Sequence, residues 1–345
     1  MKVTINDVAK YAGVSIKTVS RVMNNEPSVR KDTYDKVTEA IQTLRYQPNA
    51  AARNLASARA YNIGYLYDNP NAYYVIDMQK GLLDACRKHG YELLIHPTDA
   101  SEPGLVQEVL SMVQHSRLAG LILTPPFSER PDIVEALEAQ GVDFVRIISG
   151  STPSPKLHNC VLVDDFTAAF KITSHLLELG HTALAFLGGD PEHSSSDERL
   201  AGFQAALAKR GITPNPAFIL EGSYSFESGV KRARELLSQP SRPTAIFACN
   251  DEIAAGALFS ARLQHLNIPE QLSIIGFENS PFSRQTWPPL TTADQPNSLI
   301  ARKAAELLFR QIKNSGKKAA PQPVPVFIPE LLLRESCGAP PESKQ

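Results

Sequence analysis

Residues 3–24 read Val3-Thr4-Ile5-Asn6-Asp7-Val8-Ala9-Lys10-Tyr11-Ala12-Gly13-Val14-Ser15-Ile16-Lys17-Thr18-Val19-Ser20-Arg21-Val22-Met23-Asn24, and this stretch decides what kind of molecule the chain makes. A short helix is expected over Asn6 to Tyr11, with Ile5, Val8 and Ala9 on one side. Gly13 accommodates a turn that a Cβ would strain. Ser15 is a good N-cap for a second helix through Met23, whose Val19 and Val22 face inward. A third helix starts near Ser28 and Asp32 and continues to about Tyr46, with Tyr34, Val37, Ile41 and Leu44 at helical spacing. Three short helices with a glycine turn between the first two make a helix-turn-helix and its support helix.

Charge supports that reading. Residues 1–59 hold ten Lys/Arg against five Asp/Glu, a net of +5, whereas the rest of the chain carries 25 basic and 31 acidic side chains, a net of -6. A basic head on an acidic body is the asymmetry expected when one module meets nucleic acid.

Beyond Arg59 the chain alternates strand-like and helix-like segments. The first series runs Tyr61–Leu66, Ile76–His89, Tyr91–His96, Leu105–His115, Leu118–Leu123, Ile133–Gln140 and Val142–Ile148. A second runs from Ala168–Leu179 through Leu184–Leu187, Arg199–Arg210, Phe218–Glu221, Gly229–Leu237, Ala245–Ala248 and Ile253–Leu263 to Ser273–Gly276, with a late helix over Leu299–Lys313. Repeated βα units with apolar strands predict an α/β fold of two doubly wound parallel-sheet subdomains. A ligand is then expected in the cleft between them, at the carboxyl ends of the strands.

Enzyme chemistry finds no support. Gly188-Gly189-Asp190 is not a dinucleotide fingerprint, and neither a phosphate-binding P-loop sequence nor a GxSxG elbow occurs. The Ser194-Ser195-Ser196 run lacks triad partners and reads as a loop. Cys86, Cys160, Cys249 and Cys337 are scattered, so neither structural zinc nor a disulfide framework is expected. No apolar run approaches the ~20 residues of a membrane span, and the first residues lack the apolar stretch of a signal peptide. The expectation is a cytoplasmic protein with no cofactor, no metal and no catalytic residue.

The quoted head closely resembles the opening of the lactose-repressor (LacI/GalR) family. So does Tyr46-Gln47-Pro48-Asn49-Ala50-Ala51-Ala52-Arg53-Asn54-Leu55-Ala56, which is similar to that family's hinge helix, and the resemblance continues to about residue 335. It implies a helix-turn-helix head (1–47), a hinge (48–59), and a periplasmic-binding-protein-like effector and dimerisation core (60–337). One lobe of that core takes about 60–160 plus 293–323, the other about 161–292 plus 324–337, and 338–345 is left as a flexible tail.

The resemblance implies contact with near-palindromic operator double-stranded DNA through Thr4, Ser15, Ile16, Lys17, Thr18, Ser20, Arg21, Asn24, Asn49, Ala52 and Leu55. Ile16, Lys17 and Arg21 fall where the family reads bases. Arg21 is able to donate two hydrogen bonds to a guanine edge, although a phosphate-only role stays open. Leu55 falls at the minor-groove wedge, supplied by both subunits of a homodimer. Eight residues cannot sustain an isolated helix in water, so hinge 49–56 is expected to fold only on DNA.

In the core the resemblance places effector contacts at Arg199, Asn250 and Glu278. The family usually has Asp where this chain has Glu278. Tyr74, Tyr224 and Trp287 are candidates to cover apolar ring faces of a sugar or sugar phosphate. Arg146 interrupts an apolar strand and meets either the ligand or a buried ionic partner. A repressor released by a sugar is the expected behaviour. A purine-dependent corepressor shares every motif, and a solute-binding protein shares only the body. The tail lacks the leucine heptads with which some relatives make tetramers.

Overall fold

The computed structural model describes residues 3–23, 28–46, 60–69, 71–150, 159–314 and 323–341. They belong to two compact units that divide between Tyr61 and Asn62.

The first unit holds helices α1 (Ile5–Ala12), α2 (Ile16–Met23) and α3 (Lys31–Thr43). Helix α1 starts at Thr4, whose backbone N–H and hydroxyl both donate to Asp7 Oδ2, at 2.8 and 2.7 Å. It stops at Gly13, which sits in the left-handed region (φ 65°) and lets Val14 N–H donate back to Ala9 O at 3.0 Å. Ser15 Oγ accepts from Thr18 N–H at 3.2 Å and so begins α2. Val8, Val19, Val37 and Ala40 are wholly buried where the three helices meet.

The second unit has two lobes. In lobe 1 a six-stranded parallel sheet has the order β11-β5-β4-β3-β1-β2. Its strands are β1 (Asn62–Tyr67), β2 (Glu92–Pro97), β3 (Leu118–Leu123), β4 (Phe144–Ser149), β5 (Cys160–Val163) and, from far along the chain, β11 (Val326–Phe327). Helices α4 (Ala72–His89) and α12 (Asn297–Asn314) cover one face, around Ile63, Met78, Ile300 and Leu308. Helices α5 (Leu105–His115) and α6 (Pro131–Ala139) cover the other, around Leu66, Val109, Leu121 and Leu137. A Cβ at Gly81 would collide with the carbonyl of Ser298, so glycine is what lets α4 and α12 touch.

Lobe 2 has a parallel sheet β7-β6-β8-β9: β6 (Leu184–Leu187), β7 (Ile219–Leu220), β8 (Ala245–Ala248) and β9 (Ser273–Ile275). Around it lie α7 (Asp165–Glu178), α8 (Ser194–Lys209), α9 (Phe226–Leu237), α10 (Asp251–Leu263) and the short α11 (Pro281–Gln285). An antiparallel pair, β10 (Thr292–Asp294) with β12 (Glu330–Leu332), accompanies the strands that return to lobe 1. Phe186, Phe203, Phe247 and Phe277 fill the lobe 2 core.

The chain crosses between lobes slightly later than the sequence suggests. Val161–Val163 lie in β5, paired to β4, and Val326–Phe327 pair with β5, so both belong to the lobe 1 sheet. A cut at residue 160 splits an apolar run that parallel pairing keeps whole. The expected tail also begins too early. Gly338 N–H donates to Ser273 Oγ at 3.0 Å, and Gly338 O is 2.9 Å from Nε2 of the buried His181.

Candidate functional site

On α2, Val19 and Val22 face the core of the head and turn Ile16, Lys17 and Arg21 to the exposed side; Ile16 is 48% exposed. Ser15 is exposed, with its hydroxyl 2.9 Å from Thr18 Oγ1. Thr18 and Ser20 are half-buried, and the Thr4 hydroxyl is engaged by Asp7. Asn24, Asn49, Ala52 and Leu55 lie outside the described residues.

In the second unit a cleft of about 510 Å³, counting its open mouth, lies between the lobes. Four of the seven residues expected there line it: Tyr74, Arg199, Tyr224 and Glu278. With them stand Asn71, Ser149, Asp165, His193, Ser195 and Gln295, none of which was expected.

The floor is built on Arg199, only 3% exposed. Its guanidinium donates to Asp165 Oδ1 at 2.8 Å, to the Cys249 carbonyl, and to Gln295 Oε1 at 3.4 Å. The Phe277 ring lies 3.7 Å beneath it. Burial works against the charge, but the surrounding groups, the Asp165 carboxylate foremost, together outweigh it and hold Arg199 firmly protonated. Asp165 is itself pinned from lobe 1 by the Ser149 hydroxyl at 2.6 Å.

The opposite wall pairs Asn71 with Glu278. Asn71 Oδ1 caps α4 by accepting from Tyr73 and Tyr74 N–H, which leaves its amide to donate to Glu278 Oε2 at 2.6 Å across the cleft. Glu278 and Asn279 both have positive φ, 98° and 56°. Asn279 is held there by Arg334 and by its own bond to Asp294 Oδ1 at 2.9 Å. Strain of this kind in residues that are not glycine persists where the surroundings impose it, and such places cluster at binding sites. Burial pushes the Glu278 carboxyl up to about 8 despite the pull of Arg199. Behind it burial raises Asp251 to about 7, although Thr292 Oγ1 and Ser280 N–H both donate to it at 2.6 Å.

At the rim the Tyr224 hydroxyl sits 3.0 Å from Ser195 Oγ and 2.9 Å from Ser196 Oγ, and its ring meets His193 edge-on at 5.6 Å. A Cβ on Gly189 would fall inside that ring, which is why the Gly188-Gly189 turn is bare. The serine run that reads as a loop is the first turn of α8.

The other three expected residues lie elsewhere. Asn250 is fully buried as the N-cap of α10, accepting from Ile253 N–H at 2.8 Å, and does not line the cleft. Trp287 is 72% exposed beyond α11, without a ring stack among the described residues. Arg146 sits mid-strand in β4, paired with Leu123 and Cys160, and is absent from the cleft wall although its neighbours Ile147 and Ile148 form part of it.

A head of this form before a two-lobed cleft core defines a DNA-binding regulator with a place for a small ligand. The comparisons with known proteins agree. Residues 4–49 match the family described as bacterial regulatory proteins, lacI family, and residues 173–337 match a periplasmic binding protein-like domain. The chain is 34% identical to the HTH-type transcriptional regulator DegA of Bacillus subtilis over 97% of its own length and 98% of the relative's. It is 32% identical to the HTH-type transcriptional repressor PurR of Haemophilus influenzae over 96% and 98%. Among solved structures it is similar to the lac repressor dimer bound to operator and the anti-inducer ONPF, at TM-score 0.79 and 26% identity over 98% of this chain and all of that one. The CelR–cellobiose complex follows at TM-score 0.72 and 25% identity over 97% of this chain and all of that one. The chain belongs to the lacI family and is a DNA-binding transcriptional regulator. No helix among the described residues is long and apolar enough to cross a membrane.

Proposed function

We propose that this regulator is a homodimeric repressor of carbohydrate catabolic genes, released from a near-palindromic operator when a sugar or sugar derivative enters the interlobe cleft. The observation that carries the ligand class is the lining. Asn71, Gln295, Glu278 and Ser195 offer donors and acceptors at several angles, as adjacent hydroxyls require, and Tyr74 and Tyr224 offer ring faces. The relative crystallised with cellobiose adds support. A purine corepressor is the second reading, favoured by the identity to PurR repressors. A thermal-shift panel of sugars, sugar phosphates and purines on the purified protein decides between them. A rise in melting temperature with hypoxanthine or guanine and with no sugar would sink the sugar reading.

On the DNA side, Ile16, Lys17 and Arg21 read bases, with Arg21 worth ~1–3 kcal/mol of discrimination at a guanine. Ser15, Thr18, Ser20 and Asn24 set register on phosphates. Leu55 is the wedge at the operator centre, so Leu55→Ala weakens specific binding far more than nonspecific binding. Equal losses in salt-matched gel shifts would contradict this. Ligand-driven closure changes operator affinity through a coupling of ~1–3 kcal/mol.

A further inference from the structure

Among the described residues that line the cleft, each cationic group already has acids beside it, and this restricts what the ligand carries. Arg199 has its charge paired with Asp165, further N–H groups given to the Cys249 carbonyl and Gln295, and its face on Phe277. The remaining cationic candidate, His193, is buried and faces the carboxylates of Asp190, Glu129 and Asp68. Desolvation lowers its proton affinity, so it stands neutral, and any charge it did gain would be balanced by those three acids. Against this stand the Asp165 carboxylate in the lining itself and Glu129 close behind, while the Glu278 carboxyl, raised to about 8 by burial, adds a polar group without a counter-charge for an anion. The field of this group is felt widely: Asp165, Asp164, Asp197 and Glu129 all raise the neighbouring Glu198 carboxyl, whose largest push comes from burial. Among the described residues that line the cleft, an entering phosphate or carboxylate would find no lysine, and the guanidinium there is already paired with Asp165. The first turn of α8, the natural place for an anion, already presents Ser194 N–H to Glu129 Oε2 at 3.1 Å.

We infer that the cleft selects an uncharged ligand, an unphosphorylated sugar rather than a sugar phosphate or sugar acid, because its cations are neutralised from within and its free groups are carboxyls and amides. This rests on the reading of the cleft as an effector site and narrows it. The amide of Asn71 and the carboxyl of Glu278, which meet each other across the cleft, are the pair a sugar hydroxyl would come between. A hydroxyl both donates and accepts, so it satisfies both groups. A phosphate would bring its charge to a wall whose guanidinium is already paired with Asp165, and would gain no counter-ion there for the water it gives up.

The test uses matched pairs on the full-length protein: glucose, mannose, fructose and ribose against their phosphate esters, and inosine against inosine monophosphate, with hypoxanthine run as the free base. Melting temperature is read for each, together with the ³¹P line width of each ester and of inorganic phosphate at about 1 mM. In any pair that binds, the parent is expected to bind about a hundredfold more tightly than its ester. Phosphate lines are expected to stay narrow at constant ionic strength. An ester that stabilises the protein where its parent does not would overturn the inference while leaving the sugar reading intact. Saturable broadening of inorganic phosphate, relieved by a binding parent sugar, would also overturn it. Hypoxanthine acting without its nucleotide would do the reverse, removing the sugar reading and supporting the uncharged ligand. Should no parent compound bind, narrow phosphate lines still support exclusion of anions and broadened ones still overturn it.

Discussion

Arg199 and Asp165 form a buried pair in which each partner makes the other tolerable. Removing one charge leaves the other desolvated and uncompensated, which typically costs about 3–5 kcal/mol, whereas removing both in favour of apolar groups is often close to neutral. Asp165→Asn is therefore expected to lower core stability by that amount in urea unfolding, and Asp165→Leu with Arg199→Met to recover most of it. A double variant as unstable as the sum of its parts would mean that the pair contributes through packing alone. Glu278 makes a different prediction because its carboxyl is raised. An unfolded glutamate titrates near 4.5 and the folded one near 8, so between these values the fold holds a proton that the unfolded chain releases. This contribution to stability is full below about pH 4.5 and is lost as the pH rises towards 8, with a limiting slope of about 1.4 kcal/mol per pH unit. Asp251, raised to about 7, adds a slope of the same sign. Glu278→Gln is expected to flatten the fall in melting temperature between pH 5 and 8 while leaving the share due to Asp251. Superimposable profiles for wild type and variant would exclude Glu278 from the effect.

At the scale of elements, the turn between α1 and α2 depends on one conformation. Gly13 has φ 65° and nothing within 4 Å of where a Cβ would stand, so a side chain there meets backbone strain and no clash. Gly13→Ala is expected to cost about 1–2 kcal/mol, and Gly13→Asn less, since asparagine enters the left-handed region more readily. Amide exchange across α1 and α2 would then rise roughly 5- to 30-fold for alanine. Equal effects of alanine and asparagine would show that something other than φ is at stake. This head was readable in the sequence because its signals are local: Ser15 caps, Gly13 turns, and Val19 and Val22 pack inward. Eight of the core strands were readable too, as short apolar runs, whereas β5 and the short β10, β11 and β12 were not. The cleft was readable only in part, for a definite reason. Apolar periodicity detects a helix from its second turn, so it began α4 at Ile76, α7 at Ala168 and α8 at Arg199. The helices begin at Ala72, Asp165 and Ser194, and the polar side chains at those starts, Asn71, Asp165 and Ser195, lie outside the apolar repeat. Those first turns and their caps are the cleft, and Asn71, Asp165 and Ser195 were missed together. Asn250 shows the converse: an asparagine after a buried strand has the look of a ligand contact, and here caps α10 instead.

Over the whole core, the two lobes are joined across the cleft by three polar links that need no ligand. Asn71 reaches Glu278, Ser149 reaches Asp165, and Glu129 accepts from Ser194 N–H on one side and Ser149 N–H on the other. Tyr73 against Phe282, edge-on at 5.6 Å, adds an apolar contact between α4 and α11. Hydrogen bonds to charged groups contribute about 1.5–3 kcal/mol each when intact, and fewer than three of them would suffice to set a closed–open balance of a few kcal/mol. These links favour the arrangement in which the lobes meet, and a ligand shifts the balance only by binding one arrangement better than another. Glu129 is the link best suited to a test, because it lies at the mouth rather than among the groups that would hold the ligand. Glu129→Ala is expected to speed amide exchange several-fold in the first turns of α4, α7 and α8 together, since those turns face one another only while the lobes are closed. The α9–α10 packing, where Gly229 meets Ile253 away from the cleft, should keep its protection. If exchange quickened at Ser194 alone, the glutamate would be capping a helix and nothing more, and lobe closure would have to rest on the other two links.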